Sequence, residues 1–304
     1  MKSHHFLAYC LTSPWAMWPD AMRTHAALLM RGYLQRDGIK AAGKNDYGTP
    51  TEPEAAAARA SGRQGSIQMI PVYGTIVQRA SQLGPCEGGT STQSISNALR
   101  DALADETVSQ ILLDIDSPGG SVFGVGELAD EIVAARKQKP VVAIANSMAA
   151  SAAYWLGCSA SEFYMTPGGQ VGSIGVWMAH QDISKALEAE GVDIKLISAG
   201  KYKVEGNPYM PLDEEGQAFM QSSVDDYYSA FTRAVARGRA VPIDTVRNGM
   251  GQGRVLGADA ALAENMVDGV MPFSDVVKKM ARAGQAARGK SARAQARAEM
   301  EMMS

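Results

Sequence analysis

The stretch "VSQILLDIDSPGGSV", Val108 to Val122, constrains this chain more than any other. A short continuous apolar run that ends in two carboxylates, Asp114 and Asp116, reads as a strand buried on both faces of a parallel sheet. Ser117-Pro118-Gly119-Gly120 then turns the chain, because Pro118 fixes φ and two glycines admit conformations closed to other residues. The same alternation recurs on both sides. "SIQMIPVYGTI" reads as a strand and "TQSISNALRDALAD" as a helix with Ile95, Leu99 and Leu103 at helical spacing. "VFGVGELADEIVAAR" is helical and "PVVAIAN" a strand. A strand pair around "EFYMTPGGQVGSIGVWMA", a helix "QDISKALEAEG", a strand "VDIKLIS" and a long helix from Asp213 to Arg237 follow, with Gly238 in the place of a helix stop. Strand and helix in alternation predict an α/β fold with short crossover units.

Bulk properties exclude several classes. The 304 residues are 46% apolar and 20% charged, which is the composition of a globular protein able to bury a substantial core. A net charge of -3 gives no pull toward nucleic acid or an anionic membrane. Cys10, Cys86 and Cys158 lie far apart without CxxC spacing, so neither a disulfide framework nor a metal site is indicated, and no cofactor is expected. The start, "MKSHHFLAYCLTSPWAMWPD", has an apolar run too short and too broken for a signal peptide, and no run reaches the length of a membrane span. A soluble, cytoplasmic protein is expected. Residues 1–64 read as a leader, with a short amphipathic helix at 19–34 and a mobile linker rich in Gly, Ala and Pro. A core follows at 65–272, and 273–304 is a basic, Ala-rich tail that is either a solvated helix or disordered.

Two segments carry candidate chemistry. "SMAASAAYWLGCSA", Ser147 to Ala160, is rich in small residues. A helix beginning near Ala149 would leave unpaired N–H groups and partial positive charge at that end, a favourable place for a serine and a developing oxyanion. Ser151 fits best, with the N–H of Ala152 as one oxyanion donor and that of Gly119 or Gly120 as the other. The same composition also suits a helix that packs closely against a neighbour. A nucleophilic serine needs a base. Three of the four histidines lie in the leader, so a Ser-His-Asp triad would rest on His180, whose position suits a capping or surface role. Lysine is the other candidate, and it works only when neutral. "SAGKYKVEGNPYMPL" supplies Lys201 and Lys203 in a polar loop.

The order of these motifs, together with "SMAASAAYW", "VGSIGVWMAH", "ALEAEGVDIKLISAGKYKVEGNPY" and "AALAENMVDGV", resembles the signal-peptide-peptidase-like serine peptidases, and within them the phage head-maturation proteases of the lambda capsid protein C type. The resemblance runs from about Ser66 to Val270, and more loosely to "SPWAMWPDAM". It implies a Clp-protease/crotonase-like superhelix of ββα units, with Ser151 as nucleophile and Lys203 as base. Lys203 is chosen over Lys201 because "KVEGNP" matches the family's lysine followed by an Asn-Pro or Ser-Pro pair. Ser173 of "GSIG" falls where the family orients the lysine amine, and Gly119 or Gly120 with Ala152 would bind the oxyanion. It further implies protein substrates such as scaffold, portal or capsid proteins, a homo-oligomeric ring with shared active sites, and action in the host cytoplasm or procapsid without nucleic-acid or membrane partners. The helix carrying Phe219, Val224, Tyr227 and Phe231 is then an interface candidate. The rivals are a cellular signal-peptide peptidase, a crotonase-like acyl-CoA enzyme without the dyad, and an inactive capsid component.

Overall fold

The run Val108–Ser117 is a strand, and it lies inside the larger of two sheets. The computed structural model describes residues 14–18, 66–83 and 88–302; the helix expected at 19–34 and the linker after it lie outside these residues, as do Cys10 and Cys86. In chain order the elements are β1 (Trp15–Met17), β2 (Ser66–Tyr73), β3 (Thr75–Val77), β4 (Gly89–Ser91), α1 (Thr92–Ala104), β5 (Val108–Ser117), β6 (Gly119–Ser121) and α2 (Val125–Ala135). Then come β7 (Val141–Ala150), α3 (Ala152–Gly157), β8 (Glu162–Met165), β9 (Gln170–Gly172), α4 (Ser184–Ala189) and α5 (Glu214–Arg239). The chain continues through α6 (Ile243–Asn248), β10 (Val255–Gly257), α7 (Ala258–Ala263), β11 (Gly269–Val270) and α8 (Phe273–Met302).

The larger sheet runs β10-β9-β7-β5-β2, with β2, β5 and β7 parallel. β7 is long enough to serve two neighbours. Its Val142–Ala145 half pairs with β8 and its Met148–Ala150 half with β9, both in parallel. The strands expected as a pair around "EFYM" and "QVG" therefore do not pair with each other. A smaller sheet, β1-β6-β3-β4, sits beside the ends of these strands. Each of β2 and β5 passes into it through a tight turn before a helix begins, giving successive strand, short strand and helix units: the mixed α/β architecture with ββα units that was expected. The "SIQMIPVYGTI" stretch is accordingly two strands, divided at Gly74, whose φ is +65°.

The two faces of β5 explain its unbroken apolar pattern. Ile111, Leu113 and Ile115 join the core with Ile95 and Leu99 of α1 and Leu128 and Ile132 of α2. Leu112 points the other way and packs with Val142, Ile144 and Tyr164 against Val276 and Met280 of α8. Each such fully buried aliphatic side chain contributes about 1.5–3 kcal/mol. The start of the basic tail is thus a packed helix, fastened also by Gln110, whose side-chain amide donates to the Met280 carbonyl at 2.8 Å.

α5 starts at an Asp213 cap whose carboxylate accepts the Gly216 N–H. Phe231 stacks on Trp155 of α3 at 4.7 Å and 7° between planes, and Tyr227 meets Phe123 edge-on. Phe219, more than two turns before Tyr227, is 62% exposed. Half of the proposed interface face is therefore core. At the far end Arg239 is buried and pairs with Asp268, which also accepts the Phe163 N–H, tying α5 to β8.

Gly238 does not stop the helix. α5 continues to Arg239 and ends on Ala240 in the left-handed region. Gly238 is needed for close approach, since a Cβ there would lie 2.1 Å from the carbonyl oxygen of Cys158 at the end of α3. The "VDIKLIS" strand is also absent: residues 192–198 form no ladder, and Ile197 is 98% exposed. Alternating apolar residues make a strand only where a neighbour satisfies the backbone, and none does so here.

Gly238→Ala separates these roles. Alanine in place of glycine would favour a helix by about 1 kcal/mol, but a clash with backbone costs about 1–3 kcal/mol or more. The expected outcome is a lowered Tm, read by thermal denaturation.

Candidate active site

Ser151 sits at the junction of β7 and α3 with φ 56° and ψ -117°. The helix begins at Ala152, not near Ala149, because Ser147–Ala150 still belong to the strand. A non-glycine residue in this region costs about 1–3 kcal/mol, so its surroundings must hold it there. They do so through the Ser151 N–H, which donates to the Gly172 carbonyl of β9 at 2.7 Å, and through the Ser151 carbonyl, which accepts from Trp155. A serine on a sharp strand-to-helix turn presents its Oγ clear of the sheet, at a helix end whose first N–H groups have no acceptor within the helix. The Ala152 N–H is the first of these. The side chain of Ser151 is buried, and its Oγ lies 3.5 Å from the Gly175 carbonyl oxygen.

The Ser117–Gly120 turn faces this junction. Ser117 is buried; its Oγ donates to the Gly74 carbonyl at 2.6 Å and accepts the Gly119 N–H at 3.1 Å. The Gly119 N–H is therefore engaged inside the turn, whereas the Gly120 N–H lies on the β1 side of β6. Two glycines are required by space. A Cβ on Gly119, whose φ is +95°, would fall 2.8 Å from the Ala150 carbonyl oxygen and 3.0 Å from Cβ of Ser151, and one on Gly120 would fall 1.8 Å from the Ile76 carbonyl oxygen. The turn is thus packed closely against the serine through Gly119.

The other expected residues are placed differently. Ser173 is buried beyond β9 with φ 53°, its N–H donating to the Arg254 carbonyl at 2.8 Å. Lys203 is exposed in the segment after α4, its N–H on the Gly200 carbonyl. Among the described residues no hydrogen bond joins Lys203, Ser173 or His180 to Ser151. Lys201 is engaged elsewhere: it pairs with Glu215 and Tyr202 at 2.8 Å each, and the Glu215 carboxylate, then the Tyr202 hydroxyl, raises its pKa. A lysine held charged in this way is a poor base, which leaves Lys203 the better candidate of the two.

Residues outside the motifs shape the site. Between Ile115 and Ser117 the β5–β7 register slips, so that Asn146, Ser147 and Met148 bulge opposite Asp116, with Ser147 at φ 115°. The two carboxylates of "LLDID" grip this bulge. Asp114 accepts from the Tyr73 hydroxyl and interacts with Asn146; Asp116 interacts with Ser147 and the Met148 N–H. Burial pushes the carboxyls of both above the ordinary range, against the pull of those hydrogen bonds. The alternation of β5 places these acids on one face, but nothing in the sequence marks the bulge. Also unforeseen is β1, which pairs antiparallel with β6 and bridges Trp15 to Trp177.

The raised pKa of Asp114 has a definite sign. A carboxyl that holds its proton more tightly folded than unfolded adds stability at low pH, and this is lost as pH rises above its ordinary 3.8 and through the folded value. Between pH 4 and pH 7 the Tm of the wild type should therefore fall relative to that of Asp114→Asn, with Asp116 present in both; parallel Tm curves would refute this.

Comparisons with known proteins give the chain relatives. The family model described as "Peptidase family S49" matches residues 133–287, which is half of the chain and includes Ser151, Ser173 and Lys203. The "Capsid assembly protease C" of Escherichia phage lambda is 36% identical over 214 residues, covering 70% of this chain and 48% of its own length. The "Head-tail preconnector protein GP5" of Enterobacteria phage P21 is 36% identical over 217 residues, 71% and 43% respectively. "Protease 4" of Salmonella typhi is 32% identical over 218 residues, 71% and 34%. The chain spans less than half the length of each.

Proposed function

Since the chain belongs to peptidase family S49, we propose that it is a serine endopeptidase in which Ser151 is the nucleophile and Lys203 the general base. The observation that carries the reading is the backbone of Ser151: a buried serine with φ 56° at a strand-to-helix turn, packed against a glycine turn whose Gly120 lies opposite Ala16 of β1. In this mechanism uncharged Lys203 takes the proton of the Ser151 hydroxyl as Oγ attacks the scissile carbonyl carbon. The oxyanion rests on the N–H groups of Gly120 and Ala152. The C–N bond breaks as the amine takes the proton from the lysine, and water then hydrolyses the acyl ester by the same route.

Among the described residues no hydrogen bond joins the exposed Lys203 to the buried Ser151, and the segment around Lys203 supports a shared site. Val192, Ile194, Leu196, Ile197, Tyr202 and Met210 are all exposed apolar side chains of that segment. A second copy of the chain that covers them would exclude water from Lys203 and bring it to the neighbouring Ser151, as a homo-oligomeric ring requires. In this reading Ser173, one residue from the Gly172 carbonyl that holds Ser151, orients the incoming amine; its closeness in sequence to that carbonyl supports the assignment.

The substrates we propose are capsid, scaffold or portal proteins, acted on in the host cytoplasm or the procapsid; the names of the lambda and P21 relatives support this choice. Signal-peptide peptidase-like chemistry on other proteins is the second reading, supported by the protease 4 relative. No helix of the described residues is long and apolar enough to cross a membrane.

Casein cleavage by the wild type, Ser151→Ala, Lys203→Ala and His180→Ala tests the dyad. The first two substitutions should lower the rate by at least about a thousandfold, and His180→Ala should stay active. Activity lost in His180→Ala but kept in Lys203→Ala would replace the dyad with a histidine base.

Mixing inactive Ser151→Ala with inactive Lys203→Ala tests the shared site. Activity should return, because a mixed ring contains a wild-type Ser151 beside a wild-type Lys203, and specific activity of the wild type should rise with protein concentration. A mixture that stays inactive, with activity independent of concentration, would place the dyad within one chain.

A further inference from the structure

The site contains a peptide already. Residues 14–18 lie along β6 as an antiparallel strand, Trp15 opposite Ser121, Ala16 opposite Gly120 and Met17 opposite Gly119. The ladder extends beyond the strand at both ends: the Val122 N–H donates to the Pro14 carbonyl at 3.4 Å and the Trp18 N–H to the Pro118 carbonyl at 2.9 Å. Since hydrogen-bonded pairs alternate along an antiparallel ladder, Ala16 and Gly120 are the pair between them that exchanges bonds. The Gly120 N–H therefore points at the Ala16 carbonyl oxygen. On its other edge the segment pairs with Trp177, whose N–H and carbonyl exchange bonds with Trp15 at 3.0 and 2.9 Å and whose indole N–H donates to the Met17 carbonyl at 3.1 Å. An extended segment gripped on both edges by the backbone is the geometry of strand addition, in which main-chain bonds supply affinity whatever the sequence.

The position of Ala16 is what gives this arrangement meaning. One point in space, where a Cβ on Gly119 would stand, is 2.3 Å from the Ala16 carbonyl oxygen and 3.0 Å from Cβ of Ser151. The carbonyl of Ala16 thus lies beside the serine and faces the very N–H that would hold an oxyanion. Trp15, Ala16 and Ser151 are all without solvent exposure.

We infer that Pro14–Trp18 is a self-bound peptide that occupies the substrate groove of this site, with Ala16 standing where the acyl residue of a substrate stands, so that an incoming peptide must displace it. The inference rests on the reading of Ser151 as the nucleophile. It also describes the substrate: an extended backbone, with a small side chain at the residue facing Gly120, where Ala16 is fully buried as a member of the main core.

The test separates groove occupancy from catalysis. In a Ser151→Ala background, which cannot turn over, amide hydrogen exchange of Gly120 and Val122 reads whether the segment is seated. Ala16→Pro removes the N–H given to Gly120; Trp18→Pro removes the one given to Pro118 and serves as a second variant if the first is unstable by Tm. In either, exchange at Gly120 and Val122 should accelerate by about tenfold or more, as for any locally opened hydrogen bond. A synthetic peptide of residues 13–19 should slow it again. With Ser151 intact, the same substitutions should raise casein cleavage severalfold, and the peptide should inhibit it. Unchanged exchange in both variants would overturn the inference. So would accelerated exchange that the peptide does not reverse, accompanied by lower cleavage, because β1 would then be a fixed part of the fold. Exchange and peptide rescue as expected, with no cleavage by any variant, would uphold the occupied groove and count against the peptidase reading alone.

Discussion

Two backbone turns approach each other here more closely than side chains would allow, and the arrangement of the site follows from that contact. Gly119 and Gly120 carry no Cβ, so the turn after β5 can press against Ala150, Ser151 and Ile76. Ser151 in turn keeps an unfavourable backbone conformation because its N–H is anchored on Gly172 and its carbonyl begins α3. The strain is held by rigid neighbours: a parallel sheet with both faces covered, and a stacked Trp155–Phe231 pair that fixes the helix behind the serine.

The parts of the molecule differ in how firmly they are held. The serine, the glycine turn and the bulge gripped by Asp114 and Asp116 sit among buried strands and move only with them. The segment from α4 to α5 that bears Lys203 has few buried side chains and exposes several large apolar ones. Such a surface is stable in a given conformation only when something covers it. In the dyad proposed above, a nucleophile built into the core and a base built on an open segment would make assembly itself a condition for chemistry.

Much of the fold was legible in the sequence because local patterns there agree with tertiary context. β5 reads as doubly buried and is; α1 shows its Ile95 and Leu99 face and packs it. Legibility failed where the decisive contact is distant in sequence. Residues 192–198 alternate like a strand but lack a neighbour. Gly238 stands where a helix stop would stand, yet its reason lies 80 residues away at Cys158. At the site, Ser151 and the glycine turn could be singled out from composition and order. The positive φ of Ser151, the bulge beneath it and the strand Trp15–Met17 along β6 could not, since each depends on register between segments tens of residues or more apart. That same dependence is why the separation of Lys203 from Ser151 was invisible from the motifs alone.

The carbonyl of Gly172 that holds Ser151 belongs to a strand with a second attachment. Gly172 pairs with Val255 of β10, a Cβ on it would lie 2.6 Å from the Arg254 carbonyl oxygen, and Ser173 donates to that same oxygen. The position of the serine is thus steadied from a stretch about a hundred residues downstream that acts here through its backbone. If Ser151 is the nucleophile proposed above, a change in β10 could disturb the site while every motif of it is kept, so substitutions around Arg254–Leu256 would answer to the geometry of the serine as well as to the packing of Leu256 on the core.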